Sequence, residues 1–376
     1  MNRRYGIILI ISFLLLTLVR NPLMASSATE EDGELDVKTT ILHHLADSYE
    51  WKIVDAGEKS IVINLPIILK SKNSGWHTFM SSALKDGRAT EKGFYIADDG
   101  DYEGKIVEKN NDGTISRPLD LSLTKNAVSL ILSSIILVLI FVSIAKSYKK
   151  EPMRPKKGFV GMMEIFITTV VDELIKPSIG KDYKRYAPYL LTVFFFIFFN
   201  NLMGLLPFFP GGANVTGNIS VTFILALATF LVVNLTGNKA YYKDIFWPDV
   251  PTFLKVPIPI MPVIEFVGLF TKPFALMIRL FANIMAGHAI VLGLTMLIFI
   301  TVELGPVING SMTAVSLFFT IFIYFVELLV AFIQAYVFTL LSAVFIGMAR
   351  AEENEPKKKG IKVKPIEATN DDSVSK

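Results

Sequence analysis

The sequence predicts an all-α polytopic membrane protein. It should have about five membrane-crossing helices, one amphipathic helix on the cytoplasmic surface, and a small extracytoplasmic module at its N-terminus. Three observations carry this reading. Apolar residues make up 52% of the 376 residues, 29 of them Phe, and mean hydropathy is +0.49. Residues 127–145 form an uncharged run of 19, long enough to cross hydrocarbon. Two apolar stretches near the C-terminus, 262–300 and 312–348, exceed what a perpendicular crossing requires. There is no Cys, which removes disulfides, zinc–thiolate sites and cysteine nucleophiles. No GxxxxGK[ST] run, zinc motif or nucleophile triad is present. We therefore expect no catalytic residue, no metal, no cofactor and no nucleic-acid partner.

Residues 1–28 open with MNRRYG, continue as an apolar run from Ile7 to Val19, and end in MASSA. A basic start, a short apolar run and small residues after it read as a signal peptide, with an uncleaved anchor as the alternative. Residues 29–122 are polar and acidic, with 18 Asp and Glu against 11 Lys and Arg. Ile61–Leu69 and Lys105–Glu108 read as strands, Asn110–Gly113 as a turn, and residues 41–51 as an amphipathic helix. His43 and His44 are either a solvated helix end or a metal-binding pair.

The membrane domain is expected over 123–350, with a cytoplasmic tail at 351–376. Ala127–Ala145 is the first crossing, and the cluster from Lys146 to Lys157 that follows places the next loop inside. Gly158–Lys176 is the surface helix, with Met162, Ile165, Phe166, Thr169 and Val170 on its apolar face. Pro188–Leu206 and Ile219–Thr236 are crossings joined by an uncharged external turn. Asn200 and Asn201 sit in the first of these as candidates for interhelical hydrogen bonds. The stretch 262–300, with Pro273 inside, should be a tilted, bent helix. Glu303, Pro306, Asn309 and Gly310 form the next external turn, and 312–348 returns the chain to the cytoplasm.

The two long helices hold nearly all the buried charge. Arg279 stands mid-depth, where a guanidinium costs roughly 2.5–3.5 kcal/mol on insertion scales, so something must compensate it. Glu265 lies nearer the cytoplasm and His288 nearer the exterior. Glu327, on the returning helix, shares the outer half with His288, and Gln334 shares the middle with Arg279. At 100° per residue, Arg279 and Asn283 lie on one stripe, whereas His288 is half a turn away from Arg279. Glu327 and Gln334 share a face. An acid and a base on the outer side, a permanent cation at mid-depth and an acid on the inner side sketch two half-paths separated by a positive barrier. The plainer alternative is an internal Arg279–Glu327 pair with His288 as a core residue. Lys272 reads as an interfacial, snorkelling residue.

The residues IRLFANIMAGH, the upstream EF-x-x-x-x-x-KP, the closing VAFIQAYVFTLLSAVFIGMA and NLMGLLPFFP resemble subunit a of F-type ATP synthases over roughly residues 120–350. The resemblance implies a proton-translocating stator beside a rotating ring of c subunits. Further partners would be peripheral-stalk b subunits, the rest of the ATP synthase and the lipid bilayer of a bacterial inner membrane. It makes Arg279 the essential arginine, whose missing counter-charge is a carboxylate on each passing c subunit. Asn283 and Gln334 match polar residues near that arginine, His288 and Glu327 the outer half-channel, and Glu265 the inner one. The histidine comes first here, as in mitochondrial versions. Some relatives read NLMDLLP where this chain has Gly204. The long N-terminal extension resembles Bacteroidota forms, and the resemblance gives it no role. The chain itself would catalyse no ATP chemistry. A stand-alone ion channel or secondary transporter, or a membrane scaffold, remains the alternative.

Overall fold

The computed structural model describes residues 47–56, 59–71, 75–85, 89, 93–97, 102, 104–109, 114–150, 156–206, 211–246 and 260–350. The expected signal peptide, His43 and His44, and the tail at 351–376 lie outside them.

Among the described residues, eight short strands build the N-terminal module. β1 (Glu50–Ala56) and β2 (Lys59–Asn64) form an antiparallel pair. β3 (Pro66–Ser71) lies between β4 (Gly75–Met80) and β8 (Leu119–Asp120), antiparallel to both. β5 (Phe94–Ile96), β6 (Ile106–Lys109) and β7 (Ile115–Ser116) make the third sheet. The single strand expected over 61–69 is thus two, parted at Leu65. In β3 the period of two puts Ile67 and Leu69 into the core with Tyr49, Phe94 and Ile106. The helix expected over 41–51 does not hold at its end, because Glu50 and Trp51 open β1. Trp51 pairs across the ladder with Ile63, and such aromatic–β-branched pairs favour strand.

Two contacts pin the module to the first helix, α1 (Lys125–Lys150). Thr124 Oγ1 accepts the amide of Ala127, a local N-cap. Asp47 Oδ1 accepts the amide of Asn126 at 3.1 Å, and Ser48 O accepts that of Lys125. An acidic side chain there also opposes the positive end of the helix dipole.

Helix α2 (Phe159–Thr169) runs on through a π-helical turn, Val170–Ile175, to Lys176–Ile179. Its buried side carries Met163, Val170, Leu174 and Ile175, whereas Met162 and Ile165 are exposed. The expected apolar face is therefore rotated: part of it packs on the bundle and part faces outward. α3 (Tyr183–Leu205), α4 (Ile219–Thr236) and the short α5 (Lys239–Phe246) follow. Two long helices close the chain, α6 (Ile260–Ile300) and α7 (Pro306–Arg350). α6 is unbroken across Pro273. At 1.5 Å per residue they are about 60 and 68 Å long, so both must tilt within ~30 Å of hydrocarbon. The turn between them is shorter than expected. A 3₁₀ turn, Thr301–Leu304, ends at Gly305 (φ 97°), and Pro306 starts α7, with Asn309 and Gly310 already helical. Proline suits a first helical position because its missing N–H is not needed there. Among the described residues, five stretches are long and apolar enough to cross a membrane, α2 and α3 counting as one. The protein is a multi-pass membrane protein.

The bundle core gathers Leu174, Leu190, Phe194, Ile197, Leu276, Leu280 and Ile346, all essentially buried. Phe194, Phe198 and Phe332 meet there in stacked and edge-to-face pairs. Small residues of α7, among them Ala335, Ala343 and Ala349, let neighbouring backbones approach. Gly347 is the extreme case: a Cβ there would fall 2.0 Å from Ser178 O. Hydrogen bonds cross the bundle as well. Ser133 Oγ donates to Asn200 Oδ1 (2.9 Å), and the Tyr189 and Thr229 hydroxyls meet at 3.0 Å. At the end away from the module, Arg350 pairs with Asp182 and donates to Asn238 Oδ1 at 2.8 Å.

Candidate functional site

Helix α6 packs on α4 and α7, and α7 packs on α3. Polar side chains project into the resulting seams at two heights. The first recess lies at the module end. Asn201 and Leu205 of α3, Asn283 and His288 of α6, and Glu327 and Ala331 of α7 line a narrow cavity of about 20 Å3, room for about one water.

Glycines make this geometry possible. Glu327 Oε1 lies against Gly287, where a Cβ would stand only 2.3 Å away. Its other oxygen, Oε2, is buried and accepts no hydrogen bond from the described residues. His288 covers Gly204, with Nε2 3.5 Å from the place a Cβ would take. Asn201 holds the α3 wall: its Nδ2 donates to Ala331 O (3.3 Å) and its Oδ1 accepts from Thr216 Oγ1 (2.6 Å). The sequence marked Asn201 as an interhelical bond but gave no sign that it walls the recess.

The second recess lies at the opposite end, about 40 Å3, between Thr229 and Asn234 of α4, Tyr241 of α5, Lys272 of α6, and Phe345 and Met348 of α7. Tyr241 OH donates to Asn234 Oδ1 at 3.4 Å, and Lys272 Nζ sits 5.7 Å from the centre of the Phe345 ring. Burial raises the Tyr241 phenol above its ordinary range, with Tyr242 and then Glu265 adding to the shift. Glu265 is half-buried one turn before Leu269, which lines this recess. Sequence reasoning passed over Asn234 and Tyr241. An amide in the last turn of an apolar helix, followed by a Tyr pair, was the available signal. Lys272 is exposed and also lines this recess.

Arg279 lines neither recess. It falls seven residues, about 10 Å of helix rise, beyond Lys272, and four before Asn283. It is exposed, and among the described residues it makes no hydrogen bond, ion pair or ring contact. An Arg279–Glu327 pair within the chain does not form. On the same exposed side stand Ala275, Ala282, Asn283 and Ala286. Gln334 is buried on α7 and lines neither recess. The structure thus brings Asn283, His288 and Glu327 together in one recess, which Arg279, Gln334 and Glu265 do not line. Among the described residues there is no cluster of three or more His, Asp or Glu side chains placed to hold a metal.

These features define a class: a membrane protein of long tilted helices with a polar recess toward one end of a long helix, a largely apolar recess toward the other, and between them a cation with no partner among the described residues. Comparison with known proteins gives the family. Residues 127–347 match the family described as ATP synthase A chain, and the chain belongs to that family, subunit a of F-type ATP synthases. It is 44% identical over 240 residues to ATP synthase subunit a of Chlorobium phaeobacteroides, covering 62% of this chain and 67% of that one. The protein of the same name from Chloroherpeton thalassium is also 44% identical over 240 residues, covering 62% and 68%. That of Myxococcus xanthus is 39% identical over 282 residues, covering 73% and 84%. Residues 40–125 match a separate domain described only as of unknown function.

Proposed function

We propose that this chain is the proton-conducting stator of an F-type ATP synthase, with two half-channels that load and unload carboxylates on a rotating c ring. The observation that carries the reading is the bare Arg279. A guanidinium stays charged at any accessible pH, and leaving it unpaired in lipid is costly. Its exposure on a stripe of Ala275, Ala282 and Ala286 suits close approach by another helix, which supplies the carboxylate in trans.

In this reading the module end faces the periplasm and the Arg350 end the cytoplasm, in a bacterial inner membrane. Protons enter through the recess of Asn283, His288 and Glu327 and pass to a ring carboxylate. Once neutral, that carboxylate turns into lipid, which the ionised form enters only at high cost. After nearly a full revolution it reaches the recess near Glu265, Lys272 and Tyr241. Arg279 favours the ionised carboxylate there, drives proton release, and blocks direct passage between the recesses. Gln334 lies at the same depth as Arg279. The chain takes no part in ATP chemistry.

Purification of this chain through an affinity tag tests the assembly. The c ring, b subunits and ATPase head should come with it in mild detergent. A chain that purifies without them and conducts ions when reconstituted alone would instead be a self-contained channel or transporter.

A further inference from the structure

We propose that the N-terminal module, the part of the chain that matches a domain of unknown function, is a brace for the module-end recess, and that Trp51 is its positioning residue. Trp51 is 3% exposed and forms one apolar cluster with Ala213 and Val215 in the turn between α3 and α4, each 1% exposed. Ile63 of β2 and Val128 of α1 pack against the same cluster. The turn needs this cover. Its described part carries Gly211, Gly212 (φ 76°) and Gly217, with backbone bonds from Gly212 to Met203 O and from Asn218 to Val215 O.

The turn also bears on residues that line or flank the recess. Thr216 donates to Asn201, and Asn201 to the carbonyl of Ala331, one helical turn from Glu327. Asn214 Nδ2 reaches Met285 Sδ (3.6 Å) on α6, three residues before His288. Ala213 O lies 3.7 Å from the place of a Cβ on Gly204, the residue that His288 covers. A continuous set of contacts therefore runs from Trp51 to the residues around both His288 and Glu327. Asp47 and Ser48, just before Trp51, accept amides at the start of α1, so this edge of the module bridges α1 and the turn as a clamp.

The proton-conducting role assigned to this recess rests on the function proposed above, but the test separates the two. The chain has no Cys, so Leu205→Cys places a single thiol on the recess wall. In the assembled complex, its labelling by a small water-soluble methanethiosulfonate is followed with Trp51, Trp51→Ala and Trp51→Phe. Truncating a buried Trp removes enough packing to make local opening about tenfold or more frequent, so Trp51→Ala should label faster by that factor. Trp51→Phe should restore most of the protection, and ATP-driven acidification should fall in Trp51→Ala and recover in Trp51→Phe. Should Trp51→Ala fail to assemble, Ile63→Ala trims the same cluster and carries the test. Equal labelling in all variants overturns the brace. A change in labelling with no change in pumping keeps the brace and removes the recess from the proton path.

Discussion

Arg350 and Arg279 both belong to the long closing helices, and their surroundings are opposite. Arg350 is satisfied inside its own chain: Asp182 takes Nε and Nη2, and Asn238 and the carbonyl of Thr236 take Nη1. Asn238 returns a bond to Arg350 O, and its amide bonds to Ala349 O, so the end of α7 is tied to the starts of α3 and α5. Among the described residues, Arg279 has none of this. Two guanidiniums with the same intrinsic chemistry are thus a fastener in one place and an unfilled valence in the other. The difference lies in what the backbone brings near, and it marks which of the two acts on something outside the chain.

Substitutions sharpen that contrast in order of expected effect. Glu327→Gln removes the ionisable group of the module-end recess while keeping its shape, and pumping should fall by about 10²-fold or more, the scale of a lost acid–base group. ATP-driven acidification at matched assembly checks it, and near-normal rates would take Glu327 off the path. Gly287→Ala should come next. Its methyl would meet Glu327 Oε1 at 2.3 Å, so the flexible carboxylate must swing out of its place, and pumping should fall by about tenfold. The complex should still assemble, with the loss confined to pumping. Arg350→Ala is predicted to behave the other way. It removes a partly exposed network worth about 1–2 kcal/mol, lowering the thermal stability and yield of the complex while pumping per assembled complex stays unchanged. A pumping defect in fully assembled Arg350→Ala would blur the division between the two arginines. The smallest effect is expected from Tyr241→Phe. It deletes one long hydrogen bond to Asn234, costing about 0.5–1 kcal/mol and at most a few-fold of pumping rate.

Much of this architecture was legible in the sequence, because the membrane makes hydropathy and charge decisive. The uncharged run at 127–145 and the cationic cluster after it located α1 to within a few residues. The long helices were legible from length alone, and depth along them placed His288 with Glu327. What escaped was settled by partners distant in the chain. The period of α2 did not reveal which part of its apolar surface the bundle would take, since lipid and protein interior select the same residues. Trp51 read as helix because its strand partner, Ile63, is read only when the two runs are paired. The recess at the Arg350 end was missed because Thr229, Asn234, Tyr241 and Lys272 come from three helices and none is unusual alone. Arg279 was singled out early by its cost, yet only the fold separates an internal pair with Glu327 from a bare cation.

The most direct test of the central claim is ATP-driven acidification of inverted membrane vesicles with Arg279→Ala, at levels of assembled complex matched to the unsubstituted chain. Loss of pumping in an intact complex is the predicted result, because the barrier between the recesses and the counter-charge to the ring are both gone. Normal pumping would mean that Arg279 meets no moving carboxylate, and the two recesses would then not be halves of one proton path.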